Sequence, residues 1–168
     1  CLAHPMYRLH LALCALHGLT CYSVDIVDAY GHSDGPPVPC YVRVDQAYRD
    51  WWFARFSERL PSSELVLPMH KALQGHPHAG KSYENKITEV LQDLNFKGTT
   101  HERNILTGSI DGELCLIARQ IDDFSIGTKL EATARKLATL IGQRLQAPKE
   151  SKIPIKFLGL LDKFVGTD

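Results

Sequence analysis

The sequence predicts an α+β fold, an antiparallel sheet with helices packed on one face. Three observations carry this. Asp111-Gly112 lies between the apolar runs 104–110 and 113–119, a strong two-residue hairpin signal. Residues 83–94 and 130–145 space their apolar side chains at helical intervals. Residues 19–29 are β-branched and apolar around Asp25, which reads as a central strand. Strand runs mixed with packed helices, rather than alternating βα units, give this class.

In chain order, Met6, Leu9, Leu13 and Leu16 fall on one helical stripe within 6–17, and Gly18 is a natural stop. After the strand 19–29, the three prolines of 31–39 dictate a loop. Residues 41–44 alternate like a short strand, and 51–60 reads as a short helix with Trp52, Phe56 and Leu60 on one stripe. A loop at 74–80 opens the helix that carries Tyr83, Ile87, Val90, Leu91 and Leu94. The hairpin follows, its second strand running into Gln120–Asp123, and Phe124-Ser125-Ile126-Gly127 continues beyond. The helix 130–145 presents Leu130, Ala134, Leu137, Leu140, Ile141 and Leu145. Residues 153–165 suggest a closing hairpin around Gly159.

The 168 residues fit one domain with a sizeable core. Nineteen basic and nineteen acidic residues cancel, so the electrostatic footprint of a free-standing nucleic-acid binder is missing. The chain starts at Cys1 and stops just past an apolar run. That leads to the expectation of a piece cut from a larger protein, with its basic surface elsewhere. No secretory signal and no apolar run near membrane-span length is present, so an intracellular protein without membrane contact is expected. Five cysteines (1, 14, 21, 40 and 115) form no Cys-x-x-Cys pair, and reduced thiols are the expectation. Of eight histidines only His76 and His78 sit close together, with no cysteine nearby. They are expected in loops or at the surface rather than around zinc.

Two acidic positions carry the chemistry. Asp25 ends the run Ser23-Val24-Asp25-Ile26-Val27-Asp28-Ala29-Tyr30, and Asp122-Asp123 sits in Arg119-Gln120-Ile121-Asp122-Asp123-Phe124. Adjacent carboxylates in a tight turn repel unless a cation neutralises them. Three carboxylates meeting at strand ends can hold two Mg²⁺ ions for an in-line phosphoryl displacement. Taken singly, the Asp25 segment reads more readily as a core strand ending in a solvated aspartate, and Asp122-Asp123 as a turn without function.

Residues 75–82, Gly-His-Pro-His-Ala-Gly-Lys-Ser, match the phosphate-cradling pattern G-x-x-x-x-G-K-[ST] and precede a helix. The pattern needs a buried parallel strand just before its first glycine. Residues 67–74 contain Pro68, His70 and Lys71 and make a poor central strand. A P-loop nucleotide-binding protein is therefore the weaker alternative.

The order and spelling of these segments resemble Ty1/copia-type retrotransposon reverse transcriptases over nearly the whole chain. The resemblance implies a palm with partial fingers, residues 1–168 forming one domain, most of the fingers, the thumb and RNase H lying outside it. Asp25, Asp122 and Asp123 would be the catalytic metal ligands, for two Mg²⁺ or substituting Mn²⁺. Ile26, Asp28, Ala29, Tyr30, Gln74, Gly75 and Lys81 would bind the nucleotide. Tyr30 would sit under the sugar and select deoxynucleotides, and Gln74-Gly75 resembles the retroviral pair. Gln120 stands where the family has tyrosine; Gln120, Ile121 and the Phe157-Leu158-Gly159 element would contact the primer. The implied partners are an RNA or DNA template-primer, dNTPs and the rest of a polyprotein, in a cytoplasmic particle or the nucleus. The implied activity is RNA-directed DNA polymerisation, weak or absent in these residues alone. A catalytically inactive or domesticated palm acting as a binding module is the alternative within the same fold.

Overall fold

In the computed structural model, which describes residues 2–60, 65–146 and 152–162, the strand around Asp25 has a neighbour on each side. This strand, β1 (Thr20–Ile26), follows helix α1 (His4–Leu16) after a turn at Gly18, whose φ of +62° suits glycine. A short 3₁₀ turn (Ala29–His32) leads to β2 (Tyr41–Arg43), helix α2 (Gln46–Phe56) and β3 (Val66–Pro68). Helix α3 (Ala79–Asp93) comes next, followed by β4 (Lys97–Gly98), β5 (Ile105–Ile110), β6 (Glu113–Gln120) and β7 (Asp123–Thr128). Helix α4 (Glu131–Leu145) and β8 (Ile155–Leu160) complete the order. Six strands form one sheet in the order β4-β5-β6-β7-β1-β8, and β2 pairs with β3 separately; every named pairing is antiparallel.

Alternation along the strands separates two faces. Tyr22, Val24 and Ile26 of β1, with Phe124 and Ile126 of β7, meet Tyr83, Ile87 and Leu91 of α3 and Leu137 and Ile141 of α4. Ile87, Leu91, Leu137 and Ile141 are wholly buried, and each contributes roughly 1.5–3 kcal/mol. The opposite face presents Cys21, Ser23 and Asp25. Here α1 lays Cys14 against Leu19 and Leu116, and a Cβ at Gly127 would collide with the Cys14 sulfur. The expected α+β antiparallel architecture is present, but helices cover both faces rather than one. The stripe of α1 turns inward through His10 and Cys14, while Leu9 and Leu16 stay exposed.

Three boundaries differ from the sequence reading. Strand β1 ends at Ile26, because Asp28 takes a left-handed conformation (φ 52°) that starts the 3₁₀ turn inside what was expected to be strand and loop. Helix α2 runs 46–56 rather than 51–60: the Asp45 carboxylate accepts from the Tyr48 amide at 2.8 Å as N-cap, and Ser57 ends the helix at φ 55°. Leu60 lies beyond it. Gly159 makes no hairpin. At φ +95° it sits in a bulge of the single strand β8, where Ser23 faces Gly159 and Val24 faces Phe157, leaving Leu158 unmatched. The second half of the expected 153–165 hairpin lies partly outside the described residues. Apart from these, His10 is buried within α1, against the expectation of loop or surface histidines, while His32 lies in the expected loop although buried.

Candidate active site

The site grows from the β6–β7 hairpin and its neighbour β1. Gln120 pairs with Asp123, which leaves Ile121 and Asp122 as a two-residue turn. Strand β7 then sets Asp123 directly opposite Asp25 of β1. Opposed residues of an antiparallel pair share a face, with Cβ atoms about 4.5–5.5 Å apart. The Ile26 amide donates to the Asp122 carbonyl at 3.0 Å, fastening the turn to the end of β1. All three aspartates are half-buried.

Burial, then the charges of Asp122 and Asp25, push the Asp123 carboxyl above its ordinary range. Lys156 Nζ lies 3.6 Å from Asp25 Oδ2. Among the described residues no ion pair reaches Asp122 or Asp123. Nor do the three bring one oxygen each within 4.8 Å of one another, so they do not form a tight cage for a single ion. Their hard carboxylate oxygens are the donor type that a divalent cation such as Mg²⁺ takes.

Beside the turn opens a cavity of about 470 Å³, within the range of small-ligand sites. Its walls are Tyr30, Gly80, Lys81, Tyr83, Glu84, Asn85, Arg103 and Ile121. Tyr30 packs edge-on against Tyr83, ring centroids 5.8 Å apart. The Tyr83 hydroxyl is buried without a partner, and burial raises its pKa. Arg119, 2% exposed, is gripped by a fork from Glu84: Nη1 to Oε2 at 3.0 Å and Nη2 to Oε1 at 2.6 Å. Burial alone would raise the Glu84 carboxyl, but the Arg119 bonds and charge, with Arg103, hold it below the usual range.

The structure therefore gathers Asp25, Asp122 and Asp123 at one sheet end and Tyr30, Lys81 and Ile121 around one cavity. Ile26 is buried; Asp28 is exposed, its carboxylate against Gly31; Ala29 is buried in the 3₁₀ turn. Gln74 and Gly75 occupy an exposed turn outside the cavity lining. Gln120 accepts from the Leu2 amide through Oε1. Phe157 lies under the Arg135 guanidinium at 4.1 Å, and Leu158 stands exposed in the bulge. The strand nearest upstream of Gly75, β3, is exposed and antiparallel, so the buried parallel strand a P-loop needs does not precede it.

Sequence reasoning missed Glu84, Arg103 and Arg119. The signal was there for Arg119, a cation closing the apolar run 114–118. A buried cation requires a partner.

No protein-family model matches the chain, nor does any curated protein or solved structure.

Proposed function

We propose that the chain is the palm of a nucleotidyl-transferring polymerase whose carboxylates hold divalent cations. More particularly, we infer the palm of a copia-like retrotransposon reverse transcriptase, an RNA-directed DNA polymerase, with β2, β3 and α2 belonging to the fingers. The observation that carries the reading is the register that sets Asp25 opposite Asp123, with Asp122 in the turn between β6 and β7. Four sequence motifs in family order support it.

Two Mg²⁺ ions, or Mn²⁺ in their place, held by Asp25, Asp122 and Asp123 would activate a primer 3′-hydroxyl and steady the leaving pyrophosphate. Tyr30, braced by Tyr83, would meet the sugar as a rigid wall. Lys81 and Arg103 would offer charge to the triphosphate from the same cavity. The edge strand β8 would lie along the primer, Leu158 outermost. Glu84 would act indirectly, holding Arg119 and so the end of β6.

The test is Mn²⁺ binding followed by electron paramagnetic resonance, alongside single-nucleotide addition to a primed RNA template. Loss of both in Asp25→Asn and Asp123→Asn is the expected result. Unchanged Mn²⁺ binding in those variants, with nucleotide binding abolished by Lys81→Ala, would overturn it in favour of the P-loop reading. Aspartate-dependent Mn²⁺ binding without nucleotide addition would point to an inactive palm.

A further inference from the structure

The second cluster of chemically active side chains lies on the same sheet face as the aspartates, under α1. His10 and Cys14 stand one helical turn apart on α1, and Cys21 projects from β1 beneath them. One atom from each comes within 4.8 Å of the other two. His10 is wholly buried, Cys14 is 1% exposed and Cys21 is half-buried. We propose that His10, Cys14 and Cys21 form a binding site for a soft divalent ion, Zn²⁺, that clamps α1 onto the carboxylate-bearing face of the sheet.

Geometry and chemistry support this together. With Zn–S near 2.3 Å and Zn–N near 2.05 Å, a tetrahedral centre sets sulfur and nitrogen about 3.6 Å apart. The Cys14 sulfur lies 3.7 Å from His10 Nε2 and 3.9 Å from Nδ1. The imidazole is already oriented, since Nε2 hydrogen-bonds Ser125 Oγ at 2.9 Å. That contact leaves Nδ1 for the metal and supplies the outer partner that histidine ligands need. Leu13, Leu19, Leu114 and Leu116 pack against the Cys14 side of the cluster, and the Tyr7 ring stacks on His10 with centroids 6.4 Å apart. Two thiolate-forming sulfurs and an imidazole nitrogen are the soft donor set that Zn²⁺ takes. The exposed side of Cys21 leaves a route in and a fourth coordination position for water.

The placement gives the ion a task. Cys21 and Asp25 lie on one face of β1, four residues or about 13 Å apart. Asp123 and Ser125 share that face on β7. A clamp at Cys21 would fix α1 over the strands that present the aspartates, independently of whether those aspartates catalyse.

The reduced protein should bind one Zn²⁺ per chain against a chromophoric chelator, release thiol protons as it does so and melt at a higher temperature. Co²⁺ should give a thiolate charge-transfer band in the wild-type chain, a readout that needs no variant. Cys21→Ser and Cys14→Ala should weaken Zn²⁺ binding by roughly 100-fold or more, whereas Cys40→Ser and His76→Ala should leave it unchanged. No stoichiometric Zn²⁺, a Co²⁺ spectrum without thiolate, or binding lost through His76→Ala would each overturn the proposal. So would a Cys14–Cys21 disulfide persisting as the form isolated under reducing conditions.

Discussion

Two hairpins share strand β6, and their turns are built in opposite ways. At the β5–β6 end, Asp111 and Gly112 both take positive φ (52° and 81°), the conformation a two-residue turn favours, with residues suited to it. The Asp111 carboxylate is neutralised by Lys136 of α4 at 2.5 Å. At the β6–β7 end, Ile121 takes φ 54°, a left-handed conformation that costs a β-branched residue about 1–2 kcal/mol. Asp122 and Asp123 follow with no cation paired to them among the described residues. The first turn obeys every local rule and holds strands together. The second breaks two of them at once, a pattern expected where function rather than folding dictates the residues.

The largest expected effect separates the two turns by charge. Asp123→Asn should reduce divalent binding and nucleotide transfer by about 10²–10³-fold, the scale of losing one preorganised electrostatic group. It should also raise the stability of the metal-free protein, because like charges directly opposed across strands cost roughly 0.2–1 kcal/mol. Asp111→Asn should do the reverse, leaving metal binding intact and slightly lowering stability. Calorimetry with and without Mn²⁺ checks both arms. If the two substitutions behave alike, the contrast fails.

Next comes what anchors each hairpin. Glu113 ties the β5–β6 hairpin to the start of α4, accepting from the Lys129 amide at 2.7 Å and the Leu130 amide at 2.9 Å. Glu84 does the equivalent work for the other hairpin by holding buried Arg119. Glu84→Gln should cost about 2–3 kcal/mol in denaturant unfolding, somewhat below the loss for a fully buried pair because Glu84 keeps some exposure. The pH dependence follows in sign. The folded pKa of Glu84 lies below its ordinary 4.5, so its contribution is complete above that value and is lost as pH falls through the depressed folded value. The wild-type chain should lose stability in that acid range, and Glu84→Gln should flatten the loss.

Backbone strain gives a smaller effect. Ile121→Gly should stabilise the fold by up to about 1 kcal/mol by releasing the left-handed isoleucine, partly offset by chain entropy. Gly112→Ala, at φ +81°, should destabilise it by about 1 kcal/mol. Opposite signs in thermal melts would confirm that, of these two turns, the acidic one carries the greater strain.

How these features showed in the sequence follows the same division. Asp111-Gly112 was legible because its turn chemistry is local, and the stripes of α3 and α4 because their apolar faces are continuous. The acidic turn was legible only through its spelling, since nothing local says that Ile121 will accept positive φ. The bulge at Gly159 read as a hairpin because a lone glycine in a strand signals either, and only pairing with β1 decides. Glu84 and Arg119 lie 35 residues apart and meet through packing of α3 on the sheet. The cluster under α1 escaped because its histidine and cysteines follow helical rather than Cys-x-x-Cys spacing, with Cys21 brought in by the strand.

The smallest effect tests how far the acidic turn is truly uncompensated. Lys156 of β8 is the nearest cation, 3.6 Å from Asp25, but its side chain is 62% exposed. An exposed pair of this kind contributes only 0–1 kcal/mol and is weakened by salt. Removing it by Lys156→Gln should leave the fold unchanged and strengthen divalent binding at the aspartates by roughly twofold, about 0.4 kcal/mol. The gain should shrink at high ionic strength. A tenfold or larger gain would mean that Lys156 already occupies the cation position, making β8 a competitor for the ion. Weaker binding in the variant would mean instead that Lys156 orients Asp25 toward the ion, and the contrast between a neutralised turn and a bare one would then have to include β8 as part of the acidic end.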